Sequence, residues 1–143
     1  MDIKNIAIGC DHAGFEYKQS IVAHLQSLQI HAIDVGPHNG ASVDYPDYGH
    51  LVARAIEGGT AEMGIVLCGS GNGIAMTVNK HQTMRCALCW TPEIATLARH
   101  HNNANVLAIP ARFVSLAIAL EMVDTFITTA FEGGRHQLRV EKI

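Results

Sequence analysis

A basic excess is missing from this 143-residue chain: ten Lys and Arg stand against 13 Asp and Glu, a formal net charge of −3. Nucleic-acid binders carry clustered positive charge, so that class is excluded as a first reading. Long apolar runs are missing too. No stretch approaches the ~18 consecutive apolar residues that a membrane span needs. The first residues run straight into a strand-like segment without a signal-peptide pattern, so the expected location is the cytoplasm. Thiols stay reduced there, and the four cysteines are read as free thiols, not as a disulfide framework. Repeats, low-complexity runs and linkers are absent. At 48% hydrophobic residues the chain can build a core, and its length fits one domain, residues 1–143.

What is present is an alternation of short apolar runs and amphipathic helical patterns. Strands are expected at 3–9, 30–35, 63–68, 85–89 and 106–109. Helices are expected between them, at 15–28, from Asp44-Tyr45-Pro46 to Gly58, from the glycines after Cys68 to Lys80, from Thr91-Pro92-Glu93, and at 113–130. Strand and helix in alternation imply parallel pairing with right-handed crossovers, and the continuously apolar strands imply a sheet covered on both faces. The expected fold is therefore a doubly wound three-layer α/β/α sandwich, Rossmann-like, on about five strands. The last long helix is apolar on most of its circumference, with only Glu121, Asp124, Thr125 and Thr128 polar, which predicts burial of a second side against another subunit.

Ligands of such sheets bind outside the strand ends. Gly9-Cys10-Asp11-His12-Ala13-Gly14 follows the first strand, and Cys68-Gly69-Ser70-Gly71-Asn72-Gly73 follows the third. Alternate glycines before a helix can turn backbone N–H groups inward on an anion, or can simply make a tight turn. The dinucleotide fingerprint would need glycine where Ile74 stands, and a P-loop would need Lys-Ser/Thr where Phe15-Glu16 stands. A helix N-terminus favours thiolate, so Cys68 is a candidate base or nucleophile; the alternative is a small buried hydrophobe. Cys86 and Cys89 are three apart on a strand and point to opposite faces, so they are read as core, as is Cys10. Arg135 and Arg139 share a helical face and suit a phosphate dianion, with His136 beside them. His101, before the fifth strand, is a candidate acid or base near neutral pH. The other histidines, His24, His31, His38, His50, His81 and His100, show no metal-ligand spacing and read as surface or filler positions.

Taken together, Gly-Cys-Asp-His at 9–12, Asp-Tyr-Pro at 44–46, Cys-Gly-Ser-Gly-Asn-Gly at 68–73, His-Asn-x-x-Asn-Val at 101–106 and Gly-Gly-Arg-His-Gln-x-Arg-Val at 133–140 resemble the ribose-5-phosphate isomerase B family over nearly the whole chain. The last run is the most specific. The resemblance implies an aldose–ketose isomerase that needs neither metal nor organic cofactor. It implies that His101, with Asp11, opens the furanose ring, and that Cys68 moves the proton from C2 to C1 of a cis-enediolate. Ser70 would assist between O1 and O2, and the amides of Gly69 to Gly73, Gly71 and Asn72 included, would hold the oxyanion. Arg135, Arg139, His12 and Arg112 would take the phosphate, and Tyr45 and Asn102 the sugar. One branch of the family uses a glutamate after the glycine loop; residues 72–75 here hold no carboxylate, which sides with the cysteine branch. The implied partners are a sugar phosphate and a second copy of the chain, as a dimer or possibly a tetramer with the active site shared between subunits. A six-carbon 6-phosphate of the allose or galactose type, or a non-catalytic phosphosugar-binding module, are the alternative readings.

Overall fold

The elements alternate as expected. In the computed structural model, which describes residues 2–143, they run β1 (Asn5–Cys10), α1 (Phe15–Ser27), β2 (His31–Gly36), α2 (Tyr45–Glu57), β3 (Met63–Cys68), α3 (Asn72–Val78), β4 (Cys86–Leu88), α4 (Pro92–His100), β5 (Val106–Pro110), α5 (Leu116–Thr128) and α6 (Arg135–Val140). All five strands pair in parallel, in the order β2-β1-β3-β5-β4. The chain passes over the place of β5 to lay β4 at the edge, then returns. That edge strand is only three residues long, which leaves little unpaired backbone to recruit another strand.

Alternation along each strand divides the core. Ile6, Ile8, Ile65, Leu67, Leu107 and Ile109 meet α1, α4 and α5 on one face. Ala7, Val66, Cys68 and Ala108 meet α2 and α3 on the other. These are the three layers. The chain leaves β1 by α1 on the first face and leaves the neighbouring β3 by α3 on the second. The crevice between the carboxyl ends of β1 and β3 is therefore the topological switch point.

The last long helix differs from the sequence reading in two respects. α5 begins at Leu116, because Ser115 caps it by accepting from the Ile118 N–H, and Phe113 lies outside the helix and exposed. The breadth of its apolar surface also has a source inside the chain. Ala119, Met122, Val123, Phe126 and Ile127 are buried among α1, α4 and β5, so a helix lying over two neighbours and a sheet needs an apolar arc this wide without any second subunit. Among the described residues no helix is long and apolar enough to cross a membrane.

Candidate active site

Cys68 closes β3 with 4% of its surface exposed. Its carbonyl accepts from the Ala111 N–H at 3.0 Å and that of Gly69 accepts from Arg112 at 3.0 Å, so the segment after β5 is laced to the glycine loop. The Arg112 side chain lies across Gly69, where a Cβ would stand 3.3 Å from its Nη1. Gly71 has φ +75°, the left-handed conformation that starts α3 at Asn72. Ser70 is exposed, and its Oγ accepts from the Asn72 backbone N–H at 3.3 Å and side-chain Nδ2 at 3.2 Å, so that amide serves the loop itself. Gly73 gives clearance to the Tyr45 ring at the start of α2: a Cβ there would meet Tyr45 Oη at 2.8 Å.

Across the switch point, Asp11 is buried. Its N–H donates to Leu67 O at 3.2 Å, and its carboxylate accepts from the Ala13 N–H at 2.9 Å. His12 Nδ1 accepts from the Val43 N–H at 3.3 Å, which puts the ring proton on Nε2 as a donor. Asp11, His12 and Tyr45 line a cleft of about 450 Å³ that also carries Asp44 and Asp47. A larger cleft, about 580 Å³, holds Asn102 and Arg85 at the amino ends of β4 and β5. Its one thiol, Cys86, packs against the core, and no carboxylate side chain lines it, whereas the smaller cleft gathers Asp11, Asp44 and Asp47 beside His12.

The remaining candidates lie elsewhere. His101 caps the end of α4, and α5 runs back against β5, so His101, Asn102, Arg135 and Arg139 all stand at the amino end of the sheet. A five-residue strand separates that end from Cys68, a span on the order of 17 Å. Within one chain, then, the structure brings Asp11, His12, Tyr45, Cys68, the 69–73 loop and Arg112 together, and it keeps His101 and the two arginines apart from them. The resemblance pairs His101 with Asp11 in a site shared between subunits; within one chain the two stand at opposite ends of the sheet.

The second group is built firmly. Arg99 is buried and donates to Thr129 O at 3.1 Å and to Asn103 Oδ1 at 3.1 Å, while the Glu132 N–H donates to His100 O at 3.0 Å. These bonds tie the turn after α4 to the segment after α5. Glu132 and His136 then close on His101, the two imidazoles stacked with centroids 4.2 Å apart. Sequence spacing singled out neither Glu132 nor this stack, because the residues meet only through α5. Gly133 and Gly134, both at positive φ, make the bend into α6, which sets Arg135 and Arg139 one turn apart and exposed.

The other cysteines are inert by position. Burial pushes the Cys10 and Cys89 thiols up to about 12 and raises that of Cys86 as well. Cys89 enters the core beside α4 and Cys86 packs against the opposite one, as their spacing predicts. Three of the histidines read as filler make cross-element contacts: His24 Nε2 lies 2.6 Å from Asp124, and His81 lies 2.7 Å from His50 and 3.0 Å from Glu57.

Comparison with known proteins gives one answer. A family model described as Ribose/Galactose Isomerase matches residues 6–143. Ribose-5-phosphate isomerase B of Escherichia coli (strain K12) is 45% identical over 141 residues, 99% of this chain and 95% of its own. Among solved structures, ribose-5-phosphate isomerase B of Clostridium thermocellum superposes with a TM-score of 0.95 at 44% identity, over 96% of this chain and 93% of its own. The Mycoplasma genitalium enzyme, solved with bound ribulose 5-phosphate, gives 0.93 at 41% identity, over 96% and 92%.

Proposed function

The chain belongs to the ribose/galactose isomerase family, and from that premise we propose that it interconverts ribose 5-phosphate and ribulose 5-phosphate in the cytoplasm, with Cys68 as the proton-transfer base. The observation that carries this is the placement of a buried thiol at the switch point, between a carboxylate and a glycine loop.

The chemistry follows from what each group can do. In ring opening, His101 gives a proton to the ring oxygen while Asp11 receives one from the anomeric hydroxyl. The open aldose presents C2–H to Cys68, whose thiolate takes that proton. The electron pair moves into a C1–C2 double bond, and O1 carries the charge of a cis-enediolate. Loop amides face that oxygen, and the adjacent Arg112 guanidinium supplies a fixed positive charge near it. Ser70 passes the O2 proton to O1, and the thiol returns its proton to C1. The product is the ketose, with Cys68 and Ser70 back in their starting states; the proton that Asp11 received returns to His101 through solvent before the next turnover.

One chain cannot do this alone. His101 and the phosphate-binding pair Arg135 and Arg139 stand a strand length from Cys68, so a second copy supplies them. The surface supports that. Exposed Tyr45, Met76, Trp90 and Phe113 all follow the carboxyl ends of strands or lie on the helices leaving them, an apolar rim of the kind that marks a docking face. Charge is complementary as well: Asp44 and Asp47 flank the cleft, and α6 offers two arginines.

The test is turnover of ribose 5-phosphate with chelator present. Cys68→Ala is expected to lower kcat/KM by about 10²- to 10⁴-fold, the range of a lost general base, with its circular dichroism unchanged. Turnover that survives Cys68→Ala removes the base assignment. Faster turnover of allose 6-phosphate or galactose 6-phosphate would move the substrate to six carbons. Binding of the phosphosugar without turnover of any of the three would reduce the protein to a binding module.

A further inference from the structure

Outside the thiol half of the site, His101 has two close neighbours, His136 and Glu132, to which the chemistry above gives no role. His136 is 95% buried, and its Nε2 finds no hydrogen-bond partner among the described residues. Such an atom is costly, and native structures retain one where something else is gained. What it faces is specific. Its ring stacks on His101 with planes 14° apart, and Glu132 Oε2 lies 3.8 Å from the Nε2 of each ring. Glu132 is fixed there by its backbone bond to His100 O.

The three ligand atoms lie within 4.8 Å of one another, which invites a metal. The rings argue otherwise. Lone pairs of two nearly parallel stacked rings lie in separate planes, so they cannot both point at one ion about 2.1 Å from each nitrogen. A proton has no such requirement. Two protonated imidazoles in face contact repel, and a single carboxylate between them compensates only one positive charge. The arrangement therefore disfavours more than one extra proton across the two rings.

We propose that His136 is a positioning residue for His101: with Glu132 it forms a one-proton stack that fixes the His101 ring and keeps the mobile proton on the ring that faces substrate. This rests on the reading of His101 as the ring-opening acid. The groups facing His136 are His101 from the end of α4, Glu132 before α6, and Arg135 and Arg139 on α6. Burial first, then His101 and the two arginines, lower the affinity of His136 for a proton, and Glu132 only partly offsets them. His101, by contrast, keeps 38% of its side chain in solvent.

The first test needs no turnover. Nitrogen-15 NMR of the imidazoles across pH 5 to 8 reads the charge and tautomer of each ring in the whole protein. His136 should stay neutral across a range in which His101 titrates, and both His136→Phe, which keeps the stacked ring, and Glu132→Gln should displace the His101 titration. An unchanged His101 curve in both variants overturns the proposal, whatever the activity. The second test is the pH–rate profile on ribose 5-phosphate. Each variant should lower kcat/KM by about 10- to 100-fold, the usual effect of losing a supporting residue. The acidic limb should shift as well, with KM little changed and the double variant no worse than the single ones. A displaced NMR curve with a parental rate profile also overturns it. If His101→Asn itself retains parental turnover, the ring-opening assignment of His101 falls, and the NMR result still decides whether the stack shares a proton.

Discussion

At the scale of single residues, the glycine loop shows what the sequence could and could not say. Alternating glycines after an apolar strand were legible as a turn able to cradle an anion, and Cys68 before them was legible as a thiol worth suspecting. Which glycine answers to which constraint was not, because that depends on neighbours far along the chain. Gly71 needs its backbone: φ is +75°, and a Cβ would run into Leu88 and approach Pro110 N at 3.2 Å. Gly73 needs clearance only: its φ is helical, and the obstacle is the Tyr45 ring, a partly exposed side chain that can swing away. The two alanine variants should therefore fail in different ways. Gly71→Ala combines left-handed strain with overpacking and should cost about 2–4 kcal/mol of stability, read by denaturant unfolding. Gly73→Ala should lose less than about 1 kcal/mol and instead raise KM, if Tyr45 contacts the sugar as proposed and is displaced from it. Equal losses of stability in both would show that Tyr45 is not free to move.

At the scale of elements, periodicity and punctuation recovered all five strands and helices α1 to α5, and the errors lie where tertiary contacts decide. β4 is shorter than its apolar run because it has a partner on one side only, and the order placing it beyond β5 has no local signal. Lys18 shows the same limit. Nothing in its local sequence marks it, yet it is 1% exposed, and its Nζ donates to both Asp34 oxygens at 2.6 and 2.8 Å and to Pro37 O at 2.7 Å. It fastens α1 to the end of β2, beside the crevice that carries Asp11. The partners are unequally placed, since Asp34 keeps 30% of its side chain in solvent. Removing the carboxylate strands a buried ammonium, whereas removing the ammonium leaves a carboxylate that water and the Gly36 N–H still reach. Asp34→Asn should thus cost about 3–5 kcal/mol, the range for a buried charge left unpaired, and Lys18→Met markedly less. Equal costs in urea melts would mean that Lys18 reaches water when its partner goes.

At the scale of the whole molecule, the sequence assembled a list of candidate site residues but could not divide it, because one list is compatible with one crevice or with two half-sites. The parallel sheet makes the division. Every strand runs the same way, so residues after strands and residues before them stand a strand length apart, and on the proposed reading a second copy reunites Cys68 with His101, Arg135 and Arg139. A two-fold dimer would then hold two composite sites, each with the thiol half from one chain and the arginine half from the other. This arrangement has a consequence that a one-chain site lacks. Let Cys68→Ala and the pair Arg135→Ala with Arg139→Ala each be inactive as pure proteins. In a hybrid dimer one composite site inherits both lesions, and the other inherits neither. Random reassembly of an equal mixture makes half of the dimers hybrid, each with one intact site, so about a quarter of the parental activity should return. Were each site confined to a single chain, every site in the hybrid would carry a lesion and no activity would return. Dissociating the two variants, mixing them, allowing reassociation and assaying ribose 5-phosphate turnover against unmixed controls decides between the two. Recovery near a quarter assigns the halves to different chains, and recovery at the level of the controls rejects the shared site.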